Sequence, residues 1–147
     1  MLRPYELNDM PDKIRLRVVT PTGLVIDEEV DEVTAPGELG EFGVLPNHIA
    51  FLSTLVAGVL SYKQGTKVQM LAISGGYAEV LDNVMTVLAT AAEFPAEIDT
   101  MRAQRAKDEA ERIMGTLNPE EKDWQLAEAA LKRSLVRLQV ASQETRR

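Results

Sequence analysis

The chain has no cysteine and a single histidine, His48. The first absence excludes disulfides and thiolate chemistry and suits a reducing compartment. The second leaves a transition-metal site short of ligands, and no nucleophile motif accompanies His48 to complete a catalytic triad. No apolar run approaches the roughly 20 residues that a spanning helix needs, so membrane association is expected only through a protein partner. Positive charge is in deficit: 16 Lys and Arg stand against 23 Asp and Glu, a net −7, which argues against nucleic acid as the main partner. Residues 1–13 carry Asp9 and Asp12 and no apolar core. They resemble neither a signal nor a transit peptide and are expected to form a loose N-terminal tail.

What is present fits a folded chain. Its 147 residues, 45% of them hydrophobic, suffice for one small domain with a core plus an appendage. The stretch at 35–60, APGELGEFGVLPNHIAFLSTLVAGVL, concentrates the turn chemistry. Gly37, Gly40 and Gly43 recur every three residues, which predicts an ordered, sharply turning loop and a contact surface. Around it, residues 14–90 read as about nine short strands. Ile14, Leu16 and Val18 alternate with Arg15, Arg17 and Val19, the period of a half-buried strand. Turns are expected at 21–23, 57–58, 64–66, 74–76 and 82–83. No helix-length segment interrupts the series, so an antiparallel sandwich or barrel is expected over 14–92.

From Ala91 the period changes. Ala103, Ala106, Ala110, Ile113 and Leu117 make a narrow seam on a helix predicted at 99–117. Asn118-Pro119-Glu120-Glu121 reads as the start of a second helix, reaching about Ser142, with Trp124, Ala127, Leu131, Leu135 and Leu138 as its apolar stripe. Residues 93–147 are thus expected to form an antiparallel helical hairpin. Alanine seams bury little area, at about 0.8 kcal/mol per methylene, so the hairpin should be weakly held and movable. It is also basic at its end. Residues 124–147 hold Lys132, Arg133, Arg137, Arg146 and Arg147 against Glu128 and Glu144, a net +3, so of the whole chain's −7 the rest carries −10.

Few side chains suggest chemistry. His48 reads as a loop histidine bonding the backbone. Ser74-Gly75-Gly76 lacks the lysine and spacing of a P-loop and reads as a hairpin turn. Asp27, Glu28, Glu29, Asp31 and Glu32 lack calcium-loop spacing and read as a solvated strand edge. The most informative set is Glu93, Asp99, Arg102, Arg133 and Arg137. Asp99 and Arg102, three apart, can pair on one helix face. Arg133 and Arg137, four apart, stack like charges that an anion would answer.

Two motifs in order, G-E-L-G-E-F-G-V-L-P-N-H at 37–48 and I-S-G-G-Y-A-E-V at 73–80, resemble the epsilon subunits of bacterial F-type ATP synthases. The resemblance runs over about 14–141. It implies a non-catalytic rotor subunit on the cytoplasmic face of the bacterial cell membrane, in which the β domain binds the gamma subunit and the c-ring and helps couple proton flow to ATP synthesis. It places Glu38, Leu39, Gly40 and His48 toward gamma and the c-ring. It gives the hairpin two states, and the extended one blocks ATP hydrolysis. Lys132, Arg133 and Arg137 would then meet the alpha/beta catalytic head. I-D-T-M-R-A at 98–103 is similar to the I-D-x-x-R-A sequence of ATP-binding members, and Arg133 and Arg137 match their second-helix arginines. A regulatory ATP, with or without Mg²⁺, is therefore expected at Glu93, Asp99, Arg102, Arg133 and Arg137, with no cofactor otherwise required. The alternatives are a stand-alone nucleotide-sensing module and, more remotely, an enzyme acting through His48.

Overall fold

The structure, a computed structural model, describes residues 11–144. The first ten residues of the expected tail, and Arg146 and Arg147, lie outside the described residues. Eight strands precede two helices: β1 (Ile14–Thr20), β2 (Gly23–Val30), β3 (Glu32–Gly37), β4 (Gly40–Val44), β5 (Phe51–Gln64), β6 (Lys67–Leu81), β7 (Val84–Ala89), β8 (Ala92–Glu93), α1 (Thr100–Thr116) and α2 (Lys122–Glu144). The expected β domain followed by a helical hairpin is therefore the observed architecture. No helix among the described residues is long and apolar enough to cross a membrane.

The strands form one continuous path, β2-β1-β7-β6-β5-β3-β4, with β8 beside β6. Strands from both ends of that path, carrying Leu16, Ile26, Val33 and Val44, enter one core with Leu60, Leu71 and Val87. Only a sheet folded over on itself brings them together, and this makes the sandwich. One pair departs from the antiparallel expectation: β1 and β7 run parallel. They are far apart in sequence, so no hairpin links them and either direction is open to them.

The fold-over corrects two expected turns. Ala57-Gly58 and Ser74-Gly75-Gly76 are not reversals. They lie opposite each other inside the long β5–β6 ladder. Leu71 and Ile73 face the core on one side of this point, and Ala78 and Val80 on the other, so the side-chain alternation changes phase there. The glycines permit this corner. Gly76 has φ +139°, and a Cβ on it would lie 1.9 Å from the Leu88 carbonyl oxygen. A Cβ on Gly58 would meet that of Pro36 at 2.4 Å. A glycine in a strand marks a bend or a close approach as readily as a turn. The other predicted turns do reverse the chain, including Gly65-Thr66 and the left-handed Asp82-Asn83 (φ +49° and +61°).

Of the acidic stretch, Asp27, Glu28 and Glu29 lie within β2, an edge strand, Asp31 follows it and Glu32 opens β3. The charges are answered locally. The Arg15 Nε–H donates to Asp27 at 2.7 Å, and Lys13 pairs with Asp31, which also accepts from the Gly65 N–H at 2.6 Å. The Arg15 bond holds the Asp27 carboxyl below the usual carboxylate range. Lys13, and then the Gly65 N–H, do the same for Asp31.

The helices begin and end close to expectation. Asp99 caps α1 by accepting from the Arg102 backbone N–H at 3.0 Å. Residues 119–121 form a turn before α2, with the Glu121 carboxylate reaching back to the Asn118 N–H at 2.9 Å. Ala103, Ala110 and Ala127 are buried where the helices meet. The second-helix stripe needs correcting, because Leu135 is exposed. Ser134 takes the buried position, its hydroxyl donating to the Ala130 carbonyl at 2.8 Å. A small, self-satisfied side chain allows closer helix approach than a leucine would. At the loop, the Trp124 indole N–H donates to the Met114 carbonyl at 3.2 Å and ties the helices together.

Candidate functional site

The hairpin rests on the sheet through α2, which packs on β5, β6 and the segment before α1. Val140 of α2 is fully buried with Ala72 of β6 and Ile98, and Val59, Val136 and Ala141 pack around them. Small Ala72 on the outward face of β6 lets the helix seat closely. The rest of the joint is polar. Glu93, paired through β8 with Ala72 of β6, faces Arg137 of α2. The Arg137 Nη2–H donates to one carboxylate oxygen at 3.1 Å. Nε lies 2.9 Å from the other oxygen, buried and not aligned for a hydrogen bond. The side chains are 20% and 26% exposed, so the pair is screened far less than a surface pair.

This ion pair borders a groove of about 650 Å³ between the sheet corner and both helices. Ser74 and Thr90 line it from the sheet, Arg102 from α1, and Arg133 and Ser134 from α2. Four of the five residues expected at a nucleotide site therefore come together: Glu93, Arg102, Arg133 and Arg137. They converge because six residues separate β8 from α1, while Arg133 and Arg137 are one turn apart on the facing helix. Asp99 does not line this groove. Its carboxylate is engaged as the α1 cap, so it meets the Arg102 backbone rather than the expected guanidinium. Three guanidiniums against one carboxylate leave the groove positive, suited to a polyphosphate or another multivalent anion. Sequence reading missed Ser74 and Thr90, because Ser74 was assigned to a turn. The Ser74–Ala91 and Thr90–Gly75 backbone bonds instead fix this edge of the sheet (3.1 Å each).

Lys132 points elsewhere. It sits 3.5 Å from Glu128 along α2, on an exposed face. Arg133 is thus the residue shared by the groove and that outer face.

A second region is the β3–β4 hairpin and the turn that follows it. Glu38 and Leu39 are the two-residue tip of the β3–β4 hairpin, and Leu39 is fully exposed. Gly37 and Gly40 close the tip. Gly40 has φ +125°, and a Cβ on Gly37 would lie 2.8 Å from the Gly40 carbonyl oxygen. His48 sits in the next turn. Its Nδ1 is 2.8 Å from the Ile49 carbonyl, and its ring meets Phe51 edge-on at 5.8 Å. Phe51 in turn meets Phe42 of β4 at 5.1 Å, which joins the turn to the hairpin. A polar clasp holds the turn from below. The Asn47 N–H donates to the Asn83 side chain at 2.8 Å, and Asn83 donates to the Lys13 carbonyl at 2.7 Å.

The outward face of the sheet adds a feature that no local pattern announced. Tyr77, Leu88, Val19 and Leu24 are successive cross-strand partners over β6, β7, β1 and β2. Tyr77, Leu88 and Leu24 are each more than half exposed. Leu52 and Val56 of β5 are exposed beside them. Such a row signals a protein contact. Reading it needs the strand order, which alternation within one strand does not give.

Residues 13–95 match the family model described as ATP synthase, Delta/Epsilon chain, beta-sandwich domain. Residues 96–142 match its long alpha-helix domain. The ATP synthase epsilon chain of Geotalea daltonii is 49% identical over 138 residues, covering 94% of this chain and all of that one. That of Syntrophobacter fumaroxidans is 49% identical over 132 residues, 90% of this chain and 98% of the relative. Among solved structures, a chain of the Euglena gracilis mitochondrial ATP synthase, in its OSCP/F1/c-ring assembly, superposes with a TM-score of 0.77 at 28% identity. That match covers 91% of this chain and 84% of that one. A central stalk/c-ring chain from Tetrahymena thermophila shares the fold, with a TM-score of 0.56 at 15% identity, over 92% of this chain and 98% of that one. Matched from strand β1 to the last turns of α2, the chain belongs to the ATP synthase delta/epsilon chain family.

Proposed function

We propose that this chain is a non-catalytic regulatory subunit of the rotor, and that its hairpin leaves the sheet to arrest ATP hydrolysis. The observation that carries this reading is the hairpin joint, a small apolar cluster in which α2 contributes Val136, Val140 and Ala141, and one ion pair, on a β domain with a continuous core. An element held by so little undocks without unfolding its support. The apolar row through Tyr77 and Leu88 is the face offered to gamma. The Glu38–Leu39 tip and the His48 turn are offered to gamma and the c-ring. In the released state, Lys132, Arg133 and Arg137 would be free to meet acidic groups of the alpha/beta head. Membrane association would then come through the complex, on the cytoplasmic face of the bacterial cell membrane.

The groove supports a second element of this reading. ATP, with or without Mg²⁺, would place its phosphates against Arg102 and Arg133 and hold the hairpin docked, by RT ln(1 + [ATP]/Kd). Asp99 would not reach the ligand from its cap position.

The test is to fix the hairpin. Cysteines at Ser61 and Gln143, which line one cavity between β5 and the end of α2, can be bridged by a short bis-maleimide. Reassembled with the catalytic head and gamma, the unbridged protein should inhibit hydrolysis, and the bridged protein should not. Equal inhibition by both would overturn the reading. Titration calorimetry with MgATP, beside Arg133→Ala, tests the ligand. Binding weakened about tenfold, 1.4 kcal/mol, is expected.

A further inference from the structure

Glu93 differs from its neighbours in the groove because it carries the sign of the ligand. We propose that Glu93 is the groove's own counter-ion: it holds Arg137, and with it α2, on the sheet when no anion is bound, and it opposes an anionic ligand rather than binding it. The reading of the groove as a nucleotide site assigned Glu93 a ligand contact, and the geometry argues otherwise.

Among the described residues, Glu93–Arg137 is the one ion pair between the sheet and the helices. Arg137 is only 20% exposed, and its Nε is cut off from water, so it requires a counter-charge in the docked state. Glu93 supplies it from a rigid place, since β8 is bonded to the long strand β6 at Ala72 and Ile73. Arg102 and Arg133 line the same groove and form no ion pair among the described residues. The two arginines are thus free to take a phosphate, while the third is already taken.

The consequence is a threshold. With the groove empty, the docked state is held by Glu93 and needs no ligand. A polyphosphate entering gains Arg102 and Arg133 but meets a carboxylate of its own sign a few ångströms away. It also competes with that carboxylate for Arg137. The differential affinity that shifts the docking equilibrium is therefore smaller than three arginines alone would give. Glu93 thereby raises the ligand concentration at which the hairpin responds.

The opposing part of the proposal rests on the nucleotide reading and the holding part does not, so the experiment separates them. The Ser61→Cys, Gln143→Cys protein reports docking by its yield of bridged product. Without nucleotide, adding Glu93→Gln should lower the docked-to-released ratio about tenfold, as expected for a half-screened pair. The exchange Glu93→Arg with Arg137→Glu should restore it. An unchanged ratio in Glu93→Gln overturns the holding role, and failure of the exchange to rescue shows a packing effect instead. In the bridged protein docking is fixed, so affinity reads the groove alone. There Glu93→Gln should bind MgATP and inorganic tripolyphosphate at least about threefold more tightly. Weaker binding would make Glu93 a ligand contact and overturn the opposing role. If the bridged parent binds neither probe at millimolar concentration, the nucleotide reading fails and the opposing role falls with it, while the ligand-free ratio still decides the holding role.

Discussion

The β domain and the hairpin solve the same problem of burial with different materials. The domain interdigitates Leu16, Val30, Val44, Leu60, Leu71 and Val87 from strands that include both ends of its sheet, all with essentially no exposed surface. The hairpin buries Ala103, Ala110, Ala127 and Ser134 between its helices and fully buries one branched side chain, Val140, at the joint, with Val136 and Ala141 beside it. Branched aliphatics contribute about 1.5–3 kcal/mol each on full burial, and alanine methyls far less. The comparison teaches where the molecule can move. On this reading the domain should open only as a whole, and the hairpin should part from it at smaller cost.

The largest test strikes the strong side. Gly76→Ala places a methyl on the Leu88 carbonyl at a backbone angle that L residues avoid. We expect a loss of about 3 kcal/mol or more in denaturant unfolding of the β domain. Retained stability would mean that the corner is soft and the domain less uniform than its core suggests. Val140→Ala strikes the joint. It should cost about 1–2 kcal/mol of docking, seen as faster limited proteolysis of α2, and leave the domain's unfolding midpoint in place. A lowered midpoint would make the two regions one cooperative unit. Trp124→Phe removes the bond to the Met114 carbonyl and should cost about 1 kcal/mol within the hairpin, read as lost helical circular dichroism at lower temperature.

The smallest effect concerns pH. Asp27 and Asp31 are held below their ordinary values by Arg15 and by Lys13 with the Gly65 N–H. Depressed carboxylates contribute stability that is present above the unfolded value, about pH 4, and is lost as pH falls through the folded one. These groups face solvent, so the slope should be shallow. Asp27→Asn with Asp31→Asn should flatten it in acid titrations of the domain, and hairpin docking should not respond.

How much of this was legible in the sequence follows the range of the interactions. Local signals carried the strands, the Asp82-Asn83 and Gly65-Thr66 reversals and the Asp99 start of α1, because a turn or a cap is decided within a few residues. The misread places are those that a distant partner decides. Gly58 and Gly76 look like turn glycines until Pro36 and Leu88 are seen to crowd them. Leu135 fits the helical stripe, but the approach of α1 selects Ser134. The groove was half legible. Arg133 and Arg137 announced a basic face, and nothing local said that Glu93 would reach Arg137 across 44 positions of sequence. The cap role of Asp99 was readable as a cap and was instead assigned to a ligand.

Native-state hydrogen exchange tests the two-region account most directly, because it reads the opening free energy of each amide in one unmodified molecule. The account predicts that the amides of α2 around Val136–Ala141 exchange through an opening well below the global value, while those of the β5–β6 ladder around Leu60 and Leu71 exchange only on global unfolding. A common free energy for both sets would contradict it, since the hairpin would then be part of the domain and not a separable arm.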